Sequence, residues 1–315
     1  MDASKPVLMI QPGFAGDILF CAKIAIEWAA RGHRVIFPIE PRFADIAAAV
    51  EFPPGIETPL TNAPFALSEA FAKLLQITEQ AAAAGDFSFH NGPLELQDLI
   101  VLPLASSWRL GTRGSMAAKY SVAGVEMDDW ADHVRLRRDP ERERRLLAEL
   151  GIHDGRDFVL VNETGSTRTI PVKLAADVVR MRKVDGFSLI DWAAVAERAR
   201  EIITIDTSLV LLVEVLKLKT PLQMISRHDP PNFVDVTPII RLDWHLAATV
   251  ADLRPLAARG HKPSSSDPRQ RVLDLGRRLL AEGRVADATL IFEHLCHDVS
   301  DAGEPAPPAR AAVAG

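Results

Sequence analysis

Three short segments carry residue types that could do chemistry, and each directly follows an apolar run typical of a buried strand. They are Gln11–Asp17 after 7–10, Asn162–Arg168 after 158–162, and Asp206–Ser208 after 202–205. Glycine lets the backbone approach a ligand closely, and hydroxyl and N–H groups at the start of a helix favour phosphate oxygens. An aspartate in such a place can accept a proton from a substrate hydroxyl. The segments therefore predict phosphate binding combined with acid–base chemistry.

The first segment contains Gly13, Gly16 and Asp17 at the junction between a strand and a helix. Its glycine spacing is not that of the GxGxxG dinucleotide fingerprint, so an NAD-dependent enzyme is disfavoured. Asp17 allows two interpretations. It is a good N-cap residue in front of an apolar helix, and it is also a carboxylate placed to act as a general base.

The second segment offers backbone and hydroxyl donors at Gly165, Ser166 and Thr167, and a cation at Arg168 that could pair with a phosphate oxygen. An ordinary solvated loop is the alternative.

In the third segment, Thr207 or Ser208 can cap a helix, and the same geometry presents free N–H groups to a diphosphate. Asp206 is either part of this site or a turn residue. Arg227 and His228, which follow the strand 222–225, are cleft candidates or residues of a surface loop.

The elements that must position these segments alternate between strand and helix. Residues 7–38 form a strand–helix–strand unit, and 177–226 form a longer series of the same kind. This pattern predicts an α/β fold with two Rossmann-like domains, 1–150 and 151–262. In open parallel sheets, ligands bind outside the carboxyl ends of the strands, so the three segments should face one cleft. That convergence favours the catalytic interpretation of Asp17.

A helical hairpin is predicted for 268–300, after a Pro- and Ser-rich linker, and a disordered tail for 301–315. The stretch Leu280–Ala288 resembles one tetratricopeptide-type unit, which cannot bury its own apolar face. The hairpin therefore either packs on the main body or recruits a protein partner.

Composition bounds the class of protein. The chain has 315 residues, 48% of them hydrophobic, and a net charge of −6, so no global basic field attracts nucleic acid.

The N-terminus lacks a signal peptide or a membrane anchor, which predicts a cytoplasmic protein that is not an integral membrane protein. Cys21 and Cys296 are expected to be reduced thiols. No metal-binding spacing is present, and neither a metal nor a cofactor is expected.

Two motifs resemble those of a known family. Gly16-Asp17-Ile18-Leu19 is similar to the opening motif of the ADP-heptose:lipopolysaccharide heptosyltransferases, which are GT-B glycosyltransferases, and 196–209 resembles their second-domain motif. In two positions the chain departs from the family: Ser208 replaces a glycine and Leu211 replaces a histidine. These departures leave room for another sugar or for an inactive relative.

The resemblance implies metal-independent transfer of a sugar from a nucleotide-diphosphate donor to a glycan, lipid-linked or protein acceptor. Asp17 would be the general base. Gly16, Gly165–Arg168 and Asp206–Ser208 would bind the nucleotide sugar, and Arg168 would stabilise the departing diphosphate. The alternative is a non-catalytic scaffold that recruits a partner through 268–300.

Overall fold

The computed structural model describes residues 4–11, 15–62, 92–104, 115–165, 168–228, 231, 233, 236–256, 268–289 and 291–292. Several predicted features lie outside this part of the chain. These are the turn at 12–14, the pair Ser166 and Thr167, the linker at 260–267, Cys296 and the tail 301–315.

The first half of the chain is built on a five-stranded sheet. Its strands are β1 Val7–Met9, β2 Val35–Ile36, β3 Ile56–Glu57, β4 Leu94–Glu95 and β5 Ile100–Leu102. They lie in the order β3-β2-β1-β5-β4, and all neighbours are parallel except β4 and β5. The helices of this half are α1 Ala15–Ala30, α2 Ala44–Ala49 and α3 Ser115–Ala123. The order reverses between β1 and β5, which makes this pair a topological switch point.

Helix α1 is the central helix of the first half. The chain leaves it at Gly32, whose φ of +93° is a left-handed conformation that glycine adopts without strain. Phe20, Ile24 and Trp28 are fully buried along the helix, and the Trp28 indole donates a hydrogen bond to the Ala123 carbonyl over 3.1 Å. The predicted helix between strands 7–10 and 34–38 is confirmed.

The second half repeats the architecture with an all-parallel sheet. Its strands are β6 Val159–Asn162, β7 Val178–Arg180, β8 Glu201–Ile205, β9 Leu222–Ile225 and β10 Trp244–Ala247. They lie in the order β10-β9-β8-β6-β7, which is the flavodoxin-like doubly wound order with its switch point between β6 and β8. The helices are α4 Pro140–Glu149, α5 Ala193–Arg198 and α6 Ser208–Leu216. The two predicted Rossmann-like halves are confirmed by these strand orders.

Helix α6 has the sequence SLVLLVEVL and is buried on most of its surface. A helix that is apolar all round needs cover on every side, and α1 of the first half supplies part of that cover. The helix ends at Leu216, and the next residue, Lys217, has a left-handed φ of +52°. The α1–α6 contact thus joins the two halves directly.

Other contacts join the halves beside these helices. The Trp130 indole donates to the Ile239 carbonyl over 2.8 Å, and Arg241 Nε donates to the Asp128 carbonyl over 2.8 Å. Lys217 also forms an ion pair with Asp132. One continuous apolar core runs through both halves as a result.

The C-terminal helices lie against the second half. Helix α7 is Pro268–Ala281, and residues 285–289 and 291–292 are helical after a turn. Leu275, Leu279 and Ile291 are buried in the common core, and α7 contacts β10. Within the described residues, the hairpin packs on the main body, which is the first of the two alternatives above. No helix in the described ranges is long and apolar enough to span a membrane.

Candidate functional site

A cleft of about 1280 Å³ opens between the two halves, where the carboxyl ends of both sheets meet. It is lined by residues that follow β1 and β5 in the first half, and β6, β7, β8 and β9 in the second. The cleft therefore contains the switch points of both sheets, where doubly wound proteins bind their ligands. The expectation that the strand-end segments share one cleft agrees with this geometry.

Asp17 lies on the first-half wall, in the first turn of α1. Its Oδ1 accepts a hydrogen bond from Lys119 Nζ over 2.5 Å, and the same ammonium donates to Gln11 Oε1 over 2.9 Å. The Asp17 side chain is 18% exposed and that of Lys119 only 7%. The Asp17 carboxylate therefore lines the cleft and is paired there with a buried cation.

At Gly16 the two walls of the cleft are in close contact. A Cβ atom added to Gly16 would lie 2.8 Å from Leu211 Cδ1 and 3.2 Å from Ser208 Cα. Only a glycine lets the start of α1 approach the start of α6 this closely. The N-termini of two helices, one from each half, therefore open into the same cleft, and both favour negative charge there.

Thr207 is the N-cap residue of α6, as predicted, but its side chain makes no capping hydrogen bond. Its hydroxyl accepts instead from Asn162 Nδ2 over 2.6 Å, and Asn162 Nδ2 lies 3.2 Å from Thr204 Oγ1. Asn162 ends β6 and Thr207 follows β8, so this bond spans the second switch point. The first N–H groups of an α-helix have no i−4 carbonyl to bond, and Thr207 and Ser208 at the start of α6 line the cleft.

Asp206 is buried beside Thr207, and its side chain is 5% exposed. Its Oδ1 accepts from the Arg227 backbone N–H over 3.0 Å. Its Oδ2 lies 3.3 Å from Arg227 Nε and 3.5 Å from His228 Nε2. Arg227 and His228 line the cleft, which places both cleft candidates of the sequence in the same site as Asp206.

The segment after β6 is only partly within the site. Gly165 lines the cleft, and its N–H donates to the Arg168 carbonyl over 2.9 Å. Arg168 itself is exposed and does not line the cleft. Arg168 is therefore not among the residues that line the cleft, where its predicted role toward a phosphate would require it.

Sequence patterns missed several residues of the second-half wall. Apolar side chains from the segment after β7 form part of it: Met181, Val184, Phe187, Leu189 and Trp192. Two exposed cations, Arg182 and Lys183, accompany them. The sequence signal that could have revealed this part of the wall is the pair Arg182 and Lys183, which follows the first strand of the series 177–226.

Other candidate groups carry no chemistry in the described part of the chain. No cluster of three or more His, Cys, Asp or Glu side chains there could hold a metal ion. Burial raises the pKa of the Cys21 thiol to about 12, so this cysteine is an inert core residue, as expected.

The strand orders define an α/β protein with two doubly wound halves, and a cleft lies between these halves. Several solved structures overlap with the chain. A glycosyl transferase family 9 protein from Veillonella parvula has a TM-score of 0.44 and 12% identity, over 89% of this chain and 98% of that one. The E. coli ADP-heptose lipopolysaccharide heptosyltransferase II has a TM-score of 0.42 and 12% identity, over 89% and 100%.

A third structure, an E. coli heptosyltransferase with ADP-2-deoxy-2-fluoro heptose, has a TM-score of 0.37 and 12% identity, over 78% of this chain and 95% of that one. No protein-family model and no curated protein matches the chain. With TM-scores below one half, the fold assignment rests on the strand orders of the chain itself.

Proposed function

We propose that the protein is a glycosyltransferase that moves a sugar from a nucleotide-diphosphate donor to the hydroxyl group of an acceptor. One observation carries the proposal: Asp17 of the first half and the N-terminus of α6 in the second half line the same cleft. A proton acceptor and an anion site held on opposite walls suit a transfer in which an alcohol attacks and a phosphate leaves.

On the donor side, the diphosphate would lie at the start of α6. Thr207 and Ser208 line the cleft, and hydroxyl groups together with the N–H groups at the start of a helix suit phosphate oxygens. Asn162 holds the Thr207 hydroxyl in place. Such fixed dipoles stabilise the negative charge that develops on the leaving group without having to reorganise.

On the acceptor side, Asp17 would take the proton of the attacking hydroxyl. The acceptor oxygen forms a bond to the anomeric carbon, and the bond from that carbon to the diphosphate oxygen breaks. The electron pair of the broken bond leaves with the nucleotide diphosphate. The step as proposed uses no metal ion.

The motif resemblance of Gly16–Leu19 supports the same reaction class. Leu211 stands at the position where the family has a histidine, and its Cδ1 packs against Gly16. An apolar side chain at this point cannot donate a hydrogen bond to a ligand, so we propose a sugar other than heptose. A glycan, a lipid-linked sugar or a protein side chain remains the proposed acceptor class.

The experiment is a thermal-shift screen of the full chain against nucleoside diphosphates and nucleotide sugars, followed by a transfer or hydrolysis assay with each ligand that binds. A ligand at 100 times its dissociation constant stabilises the fold by about 2.7 kcal/mol. The variant Asp17→Asn should bind the donor normally but lose about 10²-fold or more in turnover.

Glu27→Gln is the matched control, since it removes a carboxylate from the same helix at a distance from the cleft. Near-normal turnover of Asp17→Asn would rule out the general-base role. The absence of a shift with every nucleotide would favour the alternative, a non-catalytic scaffold.

A further inference from the structure

The cleft needs a cation for the leaving diphosphate, and Arg168 does not supply it. Among the described residues that line the cleft, the permanent cations are Lys119, Arg182, Lys183 and Arg227. Lys119 is bonded to Asp17 on the opposite wall. The choice therefore lies between Arg227 and the exposed pair after β7.

Arg227 is held in place, and Arg182 is not. The buried carboxylate of Asp206 accepts from the Arg227 backbone and lies 3.3 Å from its Nε. Arg182 is exposed and has no ion pair or hydrogen bond to any described residue. A guanidinium group that is already paired with a buried carboxylate loses less conformational entropy when it binds a ligand.

The position of the Asp206 carboxylate also bears on which guanidinium nitrogens of Arg227 remain for a ligand. Asp206 occupies the Nε side of the guanidinium, and the described residues place no partner on its two terminal nitrogens. These nitrogens form the planar fork that binds two phosphate oxygens together. Asp206 directly precedes Thr207, so the fork belongs to the same corner of the cleft as the start of α6.

We propose that Arg227 binds the terminal phosphate of a nucleotide diphosphate and that Asp206 is its positioning residue, rather than a ligand-binding residue itself. The identity of the donor rests on the proposed function. The phosphate site rests on the Asp206–Arg227 geometry, and inorganic pyrophosphate can probe it without a nucleotide.

The test is isothermal titration calorimetry of the full chain with inorganic pyrophosphate and with nucleoside diphosphates. Arg227→Met should weaken binding of both probes by about tenfold or more, as expected for loss of a charge-assisted bidentate contact. Arg168→Met is the matched control and should change binding less than about twofold, since its side chain is outside the cleft. Arg182→Met tests the rival cation, and a loss larger than that of Arg227→Met would overturn the proposal.

A separate experiment tests the positioning role of Asp206. Asp206→Asn should weaken pyrophosphate binding in the wild-type background and have no further effect in the Arg227→Met background, because it acts through that residue. Equal losses in both backgrounds would overturn this role. Thermal unfolding of each variant confirms that the protein is folded.

Different outcomes would contradict the phosphate site at Arg227 and the proposed glycosyltransferase function. If pyrophosphate binds and its binding depends on Arg227, but no nucleotide binds, the proposed phosphate site is supported and the proposed nucleotide donor is contradicted. Nucleotide binding that is indifferent to Arg227→Met would overturn the phosphate site and leave the proposed function intact. If the wild type binds neither probe, both are wrong.

Discussion

Asp17 and Lys119 meet at the switch point of the first sheet, with 2.5 Å between Oδ1 and Nζ. The two residues are 102 positions apart in the sequence. They meet because α1 follows β1, α3 follows β5, and these two strands are neighbours in the sheet. The general base proposed for transfer is thus one partner of a largely buried ion pair.

The two partners of this pair should depend on each other for stability. Removing one charge takes the ion pair and its hydrogen bond away from a largely buried partner, and we expect Asp17→Asn and Lys119→Met each to lower the free energy of unfolding by about 1–3 kcal/mol. The double variant should lose less than the sum of the single losses, with a coupling of about 1 kcal/mol or more. Urea denaturation of the four proteins measures this, and additive losses would show that the pair contributes no net stability.

Local patterns predicted much of the fold. The apolar runs at 158–162, 202–205 and 222–225 became β6, β8 and β9, and α6 has the predicted bounds Ser208–Leu216. Continuous apolar runs suit strands covered on both faces, and a change from that pattern to helical spacing marks each junction. Both signals lie within a few residues of the element that they specify.

The site was less predictable because it depends on which strands become neighbours. The sequence identified Asp17 and Asp206 but not the partners of these carboxylates, since Lys119 and Arg227 reach them only through the sheet order. Thr207 or Ser208 was expected to cap the helix, and Thr207 is the N-cap residue, but Asn162 engages its hydroxyl across the switch point. Arg168 shows the reverse case: it belongs to a suitable motif but is not among the residues that line the cleft.

The close approach at Gly16 gives a second prediction. In Gly16→Ala, the new Cβ would lie 3.2 Å from the Ser208 backbone, which cannot move without shifting α6. Overpacking costs about 1–3 kcal/mol, whereas the better helix propensity of alanine returns at most about 1 kcal/mol. We expect a net loss of about 1 kcal/mol in the free energy of unfolding, together with weaker binding at the start of α6.

Two comparisons make this prediction specific. Gly92→Ala is the control, because a Cβ at Gly92 meets nothing within 4 Å. Leu211→Val removes the atom that would lie 2.8 Å from the new Cβ, so the pair of substitutions should cost less than the sum of the single ones. Stability of Gly16→Ala equal to that of Gly92→Ala would contradict the tight contact.

The C-terminal helices are held to the second half by Asp252 and Arg284. Asp252 Oδ1 and Oδ2 accept from Arg284 Nη1 over 2.9 and 3.1 Å, and Oδ2 also accepts from the Thr249 N–H and hydroxyl. Burial raises the pKa of the Asp252 carboxyl, but the bonds from Arg284 and Thr249 outweigh it, and the net pKa lies below its ordinary value. Protonation of Asp252 therefore weakens the attachment of the hairpin.

This lowered pKa predicts how stability depends on pH. A carboxyl whose pKa is lower in the folded state than in the unfolded state stabilises the fold above its ordinary pKa of about 3.9, and this stability is lost as the pH falls through the folded pKa. At pH 7, Asp252→Asn should be less stable than the wild type by about 1–2 kcal/mol. The difference should shrink below about pH 4, because the Asp252 carboxylate then becomes protonated and loses its attraction for Arg284. Urea denaturation from pH 7 to pH 3 measures the difference, and a gap that stays constant or widens in acid would contradict the role of the ion pair.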